Sequence, residues 1–257
     1  MRRRHLVELE DLPWFPRVVR DGATDYLAWI TARSGQIEYL VPPLERLLRR
    51  TGEREIVDLC SGGAGPLPEV MTRLRARGLQ VHATLTDFYP NLEALARVCE
   101  SSDGALSYSP ESVDATRVPE KLRGARTLWN AFHHFRPAQA REILAAAVAA
   151  RRPIAVYEIL SREPLQLVSL LLSPLVAVLT VPFWRPLRVS SLFFSWIVPL
   201  IPLVILFDGI VSWLRIYSEP ELRELVTPLG DAYEWEIGRL RLGRVPAHAI
   251  YLIGSPR

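Results

Sequence analysis

The sequence predicts an α/β fold: a doubly wound, mostly parallel sheet of seven strands ending in a C-terminal β-hairpin, with an N-terminal helical cap and an apolar helical insert after strand five. Three observations predict it. Short β-branched or apolar runs alternate with stretches of helical period from residue 55 to residue 158, the first run ends in a glycine-rich turn, and two strand-like runs close the chain. With 257 residues, 49% of them hydrophobic and 23% charged, there is material for one sizeable core and one main domain.

The elements follow in order. Between residues 25 and 50, Leu27, Ile30, Ile37, Leu40, Leu44, Leu47 and Leu48 recur at helical spacing, and Pro42 and Pro43 predict a break into two short helices. Residues 55–60 read as the first strand, and Leu67, Val70, Met71 and Leu74 as the helix after the turn. The unit repeats with a strand at 80–86 and a helix through Leu92, Leu95, Ala96 and Cys99. Further strands are expected at 106–108, 125–130 and 153–158, with a helix over 138–151. Such alternation puts helices on both faces of a parallel sheet. Ser218 reads as the N-cap of a late helix with Pro220 in its first turn. Residues 233–240 and 247–254 form the closing hairpin, joined by 241–246. The domains are therefore a cap (1–50), an α/β core (51–162), an apolar insert (163–214) and a C-terminal helix and hairpin that complete the core sheet (215–257).

Composition excludes several classes of function. The net charge is +3, yet Lys121 is the one lysine among 31 cationic residues and the arginines are scattered among acids, so no nucleic-acid partner is expected. The densest basic cluster, Arg2, Arg3 and Arg4 with His5, reads as a solvated tail. Cys60 and Cys99 stand apart, with no His/Cys cluster at metal-ligand spacing, so neither a disulfide framework nor a metal is expected. The first 15 residues lack an uninterrupted apolar run, which argues against a secretory signal.

Gly62, Gly63 and Gly65 let backbone approach a ligand closely where the following helix offers free N–H groups, and Asp87, 22 residues beyond Gly65, is placed to accept ribose hydroxyls. A dinucleotide fingerprint has glycine where Pro68 stands. The ordered motifs Ile56-Val-Asp58-Leu-Cys-Ser-Gly62-Gly63-Ala-Gly65-Pro66, Leu85-Thr-Asp87, Val113-Asp114-Ala115 and Leu128-Trp-Asn130-Ala-Phe-His133-His134-Phe135 resemble those of class I S-adenosylmethionine-dependent methyltransferases. The resemblance covers residues 50–160, and Tyr251 to Gly254 resembles that family's final strand. It implies S-adenosylmethionine as cofactor, with Asp58 and the glycine turn holding the methionine moiety, Asp87 the ribose, Asp114 the adenine amino group and Asn130 lining the methyl side. Cys60 and Ala64 stand where the family commonly has glycine.

Each residue has a plainer reading: Asp58 fixing its loop, Asp87 capping a helix, Asp114 forming a turn. His133 and His134, as neighbours, are expected to point apart, one structural and the other a general base; Glu158, at the carboxyl end of strand five, would orient substrate, accept its proton or pair with Arg162. These three are the candidate catalytic residues. Trp14, Tyr26 and Tyr217 either enclose the pocket or pack.

The insert holds two uncharged runs, 164–184 and 189–207, separated by a segment bearing Arg185 and Arg188. Each is long enough to cross a bilayer if helical, but Pro174, Pro182, Pro199 and Pro202 interrupt them. A spanning hairpin, a monotopic insert and a soluble lid are the alternatives; membrane contact is preferred, on the cytoplasmic side of the cell membrane, with a cytoplasmic protein as the alternative. The sequence therefore reads as a methyltransferase acting on a lipophilic small molecule or lipid. The rival is a non-catalytic membrane-associated protein that keeps the fold, for instance as a cofactor-binding sensor.

Overall fold

The computed structural model describes residues 3–243 and 247–257; Arg2 and the centre of the β-hairpin connection, 244–246, lie outside the described residues. Five parallel strands, β1 (Glu55–Asp58), β2 (His82–Leu85), β3 (Leu106–Tyr108), β4 (Ala125–Trp129) and β5 (Ile154–Glu158), are joined by an antiparallel hairpin, β6 (Tyr233–Arg241) and β7 (His248–Pro256). The seven-stranded order is β3-β2-β1-β4-β5-β7-β6. The order reverses between β1 and β4, and the crevice outside the carboxyl ends of these two strands is where open α/β sheets bind ligands.

β4 and β5 are buried at every position, as central strands covered on both faces are, the polar Arg126, Thr127 and Glu158 included. On one face lie α2 (Ile37–Thr51), α3 (Leu67–Ala76) and α4 (Leu92–Glu100); Leu40, Leu44, Leu47, Val70, Met71 and Leu74 from these helices meet Ile56, Ala83 and Leu85. On the other, α5 (Pro137–Ala149) and α9 (Glu219–Val226) bring Ile143, Leu144, Leu222 and Leu225 against Val57, Leu128 and Val156. Glu221 accepts from both the backbone N–H and the hydroxyl of Ser218, closing the expected start of α9.

The cap departs from expectation. Its helices are α1 (Arg17–Arg33) and α2, and the break falls at Gly35, whose φ of +66° suits glycine, whereas α2 runs unbroken through Pro42 and Pro43. Burial of Leu40, Val41, Leu44, Leu47 and Leu48 on the sheet outweighs the amide donors lost at the two prolines.

The insert comprises α6 (Pro164–Thr180), the short α7 (Val189–Leu192) running into a wide turn over Phe193–Ile197, and α8 (Leu200–Arg215). The segments Val189–Ile197 and Leu200–Arg215 meet at 81°. One face of the insert packs Ala177, Val181, Trp184, Ile201, Val204 and Ile205 against Val19, Ala23 and Tyr26 of α1. The opposite face is apolar and exposed: Leu171, Leu172, Leu175, Leu179, Phe183, Trp196, Ile197 and Leu203 are each more than half exposed.

Candidate active site

The turn after β1 keeps a left-handed backbone at four positions, with φ of 59° at Cys60, 52° at Gly62, 75° at Ala64 and 46° at Gly65. Cys60 and Ala64 therefore adopt the conformation that glycine takes without cost, at about 1–2 kcal/mol each. No atom lies within 4 Å of where a Cβ would stand on Gly62 or Gly65, and Gly62 and Gly63 are exposed, so the turn presents open backbone. α1 passes over it: a Cβ on Gly63 would lie 3.9 Å from Thr24 Cγ2.

Asp58 and Asp87 brace this turn from two sides. Asp58 is buried, and its carboxylate accepts from Thr127 Oγ1 at 2.6 Å and Ser61 Oγ at 2.7 Å, which ties β1 to β4 and fixes the start of the turn. Burial pushes its pKa up to about 7, the two hydroxyls acting against that rise and the charge of Asp87 adding to it. Asp87, half-buried at the end of β2, accepts from Gly62 N and Tyr89 N at 2.8 Å each, which leaves lone pairs on both oxygens for a ligand. Val113 N donates to the Asp87 carbonyl at 2.9 Å and so draws the next loop alongside. There Asp114 Oδ1 accepts from Thr116 N and Oγ1, a turn-forming role that leaves Oδ2 outside those bonds. Asn130 follows β4 with φ of 50°, its Oδ1 accepting from Ile159 N at 2.7 Å. Gly62, Gly63, Gly65, Asp87, Asp114 and Asn130 thus lie along one carboxyl edge of the sheet.

Beyond Asn130 a single turn, Phe132–His134, carries both histidines. They do not point apart: the tight turn sets their rings 4.3 Å apart at 37°, facing the same carboxylate, Glu8. Glu158 accepts from His133 N and pairs with His133 Nδ1, each at 2.8 Å, whereas Arg162 pairs with Glu221. Burial by itself lowers the pKa of His133, but Glu158 and Glu8 outweigh it and push it up to about 9. His134 Nδ1 lies 3.2 Å from Asp11. Tyr26 is buried against Trp184 and Tyr217 donates to the Phe135 carbonyl, so both pack, while Trp14 is 72% exposed.

Sequence reasoning missed Glu8, Asp11, Asp208 and Arg215, which complete this cluster. Arg215 is buried at the end of α8 and reaches Glu8 and Asp11 at 2.9 Å each, and Ser212 donates to Glu8 at 2.9 Å. Asp208 accepts from Leu9 N and Glu10 N, pinning the N-terminal segment to α8. The available signal was the placement of Asp208 and Arg215 on an otherwise apolar helix.

No protein-family model and no curated protein matches the chain. Solved structures do resemble it. The plantazolicin methyltransferase BpumL in complex with S-adenosylhomocysteine is 11% identical, with a TM-score of 0.53 over 97% of this chain and 93% of that one. Human N-acetylserotonin methyltransferase in complex with S-adenosylmethionine gives 12% identity and a TM-score of 0.51 over 93% of this chain and 55% of that one. An O-methyltransferase from neocarzinostatin biosynthesis, in complex with S-adenosylmethionine and 2-hydroxy-5-methyl naphthoic acid, gives 12% and 0.52 over 93% and 58%. The chain has the class I methyltransferase fold, with the seven-stranded sheet and closing hairpin expected from its sequence.

Proposed function

We propose that this protein is an S-adenosylmethionine-dependent methyltransferase whose acceptor is a lipophilic small molecule or lipid met at the cytoplasmic face of a membrane. The observation that carries the cofactor half is the turn after β1: Cys60 and Ala64 hold left-handed backbone at a cost in strain, so the shape survives where glycine does not. A non-catalytic cofactor-binding relative would keep the same turn, so the turn supports cofactor binding and the turnover assay below distinguishes the two readings. The open backbone at Gly62 and Gly65 and the free lone pairs of Asp87 fit the cofactor, with S-adenosylmethionine- and S-adenosylhomocysteine-bound neighbours of the same fold in support. Asp58 acts in this reading through the turn it braces, and Asp114 Oδ2 and Asn130 complete the adenine and methyl ends.

The cofactor supplies an electrophilic methyl group; the chain's part is to place an acceptor in line with it and exclude water. His133, His134 and Glu158 stand at the ends of β4 and β5, beyond Asn130, where that acceptor would sit. A cofactor titration tests the reading. S-Adenosylmethionine binding by calorimetry is expected for the full chain, and Asp87→Ala, which removes two charge-assisted hydrogen bonds, is expected to weaken it by about 10²-fold or more. Unchanged affinity in that variant removes the assignment, and turnover to S-adenosylhomocysteine with a lipid extract separates an enzyme from a binder.

The exposed face of α6 and its neighbours supports the membrane half, because soluble monomers rarely expose a contiguous apolar patch of this extent. Asp208 and Arg215 are buried in contacts on the inner side of α8, and the 81° bend prevents the last two segments from forming one straight span. Pro164–Phe183 alone is long and apolar enough to cross a membrane, and in this reading it lies with its neighbours on one leaflet. Arg188 pairs with Asp25 at 2.9 Å, so it braces the insert against α1. Flotation with anionic phospholipid vesicles is the check: the full chain is expected to float, and Leu172→Asp with Leu175→Asp to remain in the soluble fraction. A wild-type chain that stays monodisperse and soluble without detergent, and does not float, supports a lid.

A further inference from the structure

Three segments far apart in sequence, the N-terminal strap, the turn after β4 and the end of β5, converge on one small polar chamber. Its two imidazoles are arranged alike. His133 Nδ1 is held by Glu158 at 2.8 Å and His134 Nδ1 by Asp11 at 3.2 Å, so each ring is oriented by a carboxylate through one nitrogen. Each then directs Nε2 at Glu8: His133 Nε2 lies 3.6 Å from Glu8 Oε1, and His134 Nε2 lies 3.6 Å from Glu8 Oε2. His133 is 4% exposed, yet its Nε2 has no hydrogen-bond partner.

We propose that Glu8, His133 and His134 form a binding site for a divalent transition-metal ion of the Zn²⁺ class, with one coordination position left open. The donor atoms of the three residues lie within 4.8 Å of one another. Tetrahedral donors at zinc bond lengths stand about 3.4 Å apart, close to the 3.6 Å spacings here, so small side-chain movements suffice. Two imidazoles and a carboxylate form a ligand set that zinc takes when it keeps a fourth position for a ligand. The outer contacts fit as well, since metal-ligating histidines donate their other ring nitrogen to a carboxylate or carbonyl. Charge points the same way. With both rings in the neutral form that binds a metal, the three carboxylates Glu8, Asp11 and Glu158, set against Arg215 as the guanidinium paired with them among the described residues, leave two negative charges to face the ion, which takes the place of the proton on His133.

Arg215 is the feature that opposes a cation. It and Ser212 both address Glu8 Oε1, at 2.9 Å each, which orients the carboxylate and leaves Oε2 toward His134. The bound ion would fasten the N-terminal strap to the carboxyl edge of the sheet and offer its open position on the side of His134, whose side chain is 34% exposed. The proposal does not depend on methyl transfer.

The test uses the full chain, stripped with a chelator and titrated with Zn²⁺ by calorimetry and with Co²⁺ by visible absorption. One equivalent is expected to bind, with the intense d–d bands of a low-coordinate Co²⁺ site. Glu8→Ala and His134→Ala are each expected to lose at least tenfold in affinity. Glu158→Gln, which alters the contacts to the backbone N–H and Nδ1 of His133 and is no ligand itself, is expected to lose about 10–100-fold. His82→Ala and His248→Ala are controls for adventitious binding, because these histidines pair with Glu55 and Glu163 away from the chamber; their affinity is expected to be unchanged. Absence of binding overturns the proposal, as does binding that survives both ligand variants in folded protein or that disappears in the controls. S-Adenosylmethionine titrations on the same preparations separate this outcome from failure of the methyltransferase reading.

Discussion

Arg215→Ala is expected to destabilise the protein by about 3–5 kcal/mol, the cost of removing one partner from a buried ion pair. The guanidinium is 3% exposed and serves three acceptors: Glu8 and Asp11 at 2.9 Å, and the His134 carbonyl at 3.3 Å. Truncation leaves Glu8, itself 4% exposed, as a buried carboxylate without its guanidinium. The loss extends past electrostatics, because the same side chain anchors the N-terminal strap to α8 and to the turn after β4. Urea unfolding is the measurement, and a midpoint depressed with an unchanged slope is expected. Glu8→Gln in the Arg215→Ala background is expected to recover about 1–3 kcal/mol, since residues sharing one ion-pair network couple by that order. A loss below about 1 kcal/mol for Arg215→Ala places the pair with surface salt bridges and removes the cluster as the clasp of the strap.

That clasp marks where sequence reading stops. The core was legible because its signals are local. Residues 106–108 form β3 as expected, β1, β2, β4 and β5 fall within two residues of expectation at each end, and the glycines after β1 mark a turn whose conformation they alone adopt freely. Local signals also misled. Pro42 and Pro43 suggested a helix end, but the apolar stripe of α2 has enough buried area to carry the helix through them, and the chain breaks at Gly35 instead. The histidines were expected to diverge as sequence neighbours, whereas in this tight turn both rings face one carboxylate. Glu8, Asp11 and Arg215 were illegible for another reason. Arg215 on an apolar helix signals a buried charge but not its partner, which is unknown until the fold places residue 8 beside residues 133 and 215, and contacts of such separation have no sequence period to announce them.

Between pH 5 and pH 7.5 the wild-type chain is expected to lose about 2.5 kcal/mol of stability relative to Asp58→Asn. The cause is a carboxyl group sealed between β1 and β4, with Thr127 Oγ1 and Ser61 Oγ as its partners and no cation beside it in those contacts. Burial raises its pKa in the folded chain from an ordinary 3.8 to about 7. The folded state therefore holds a proton that the unfolded chain has already released at pH 5, and stability must fall as pH rises wherever the native state binds more protons. The decline begins near pH 4 and levels off above about pH 7, where both states are ionised. Its full extent is about 4 kcal/mol, at 1.36 kcal/mol for each tenfold change in proton activity. An amide at position 58 keeps the volume and an acceptor oxygen but has no proton to lose, so that share of the pH dependence disappears. The two chains share every other titrating group, and the difference between their unfolding free energies isolates Asp58. Parallel pH profiles would show that the carboxylate is stabilised as the anion, its hydroxyl partners outweighing burial. The same comparison bears on the site, because Asp58 fixes Ser61 and hence the left-handed turn. If the turn depends on an ionised Asp58, S-adenosylmethionine affinity in the wild type should rise through the same pH window, and in Asp58→Asn it should not.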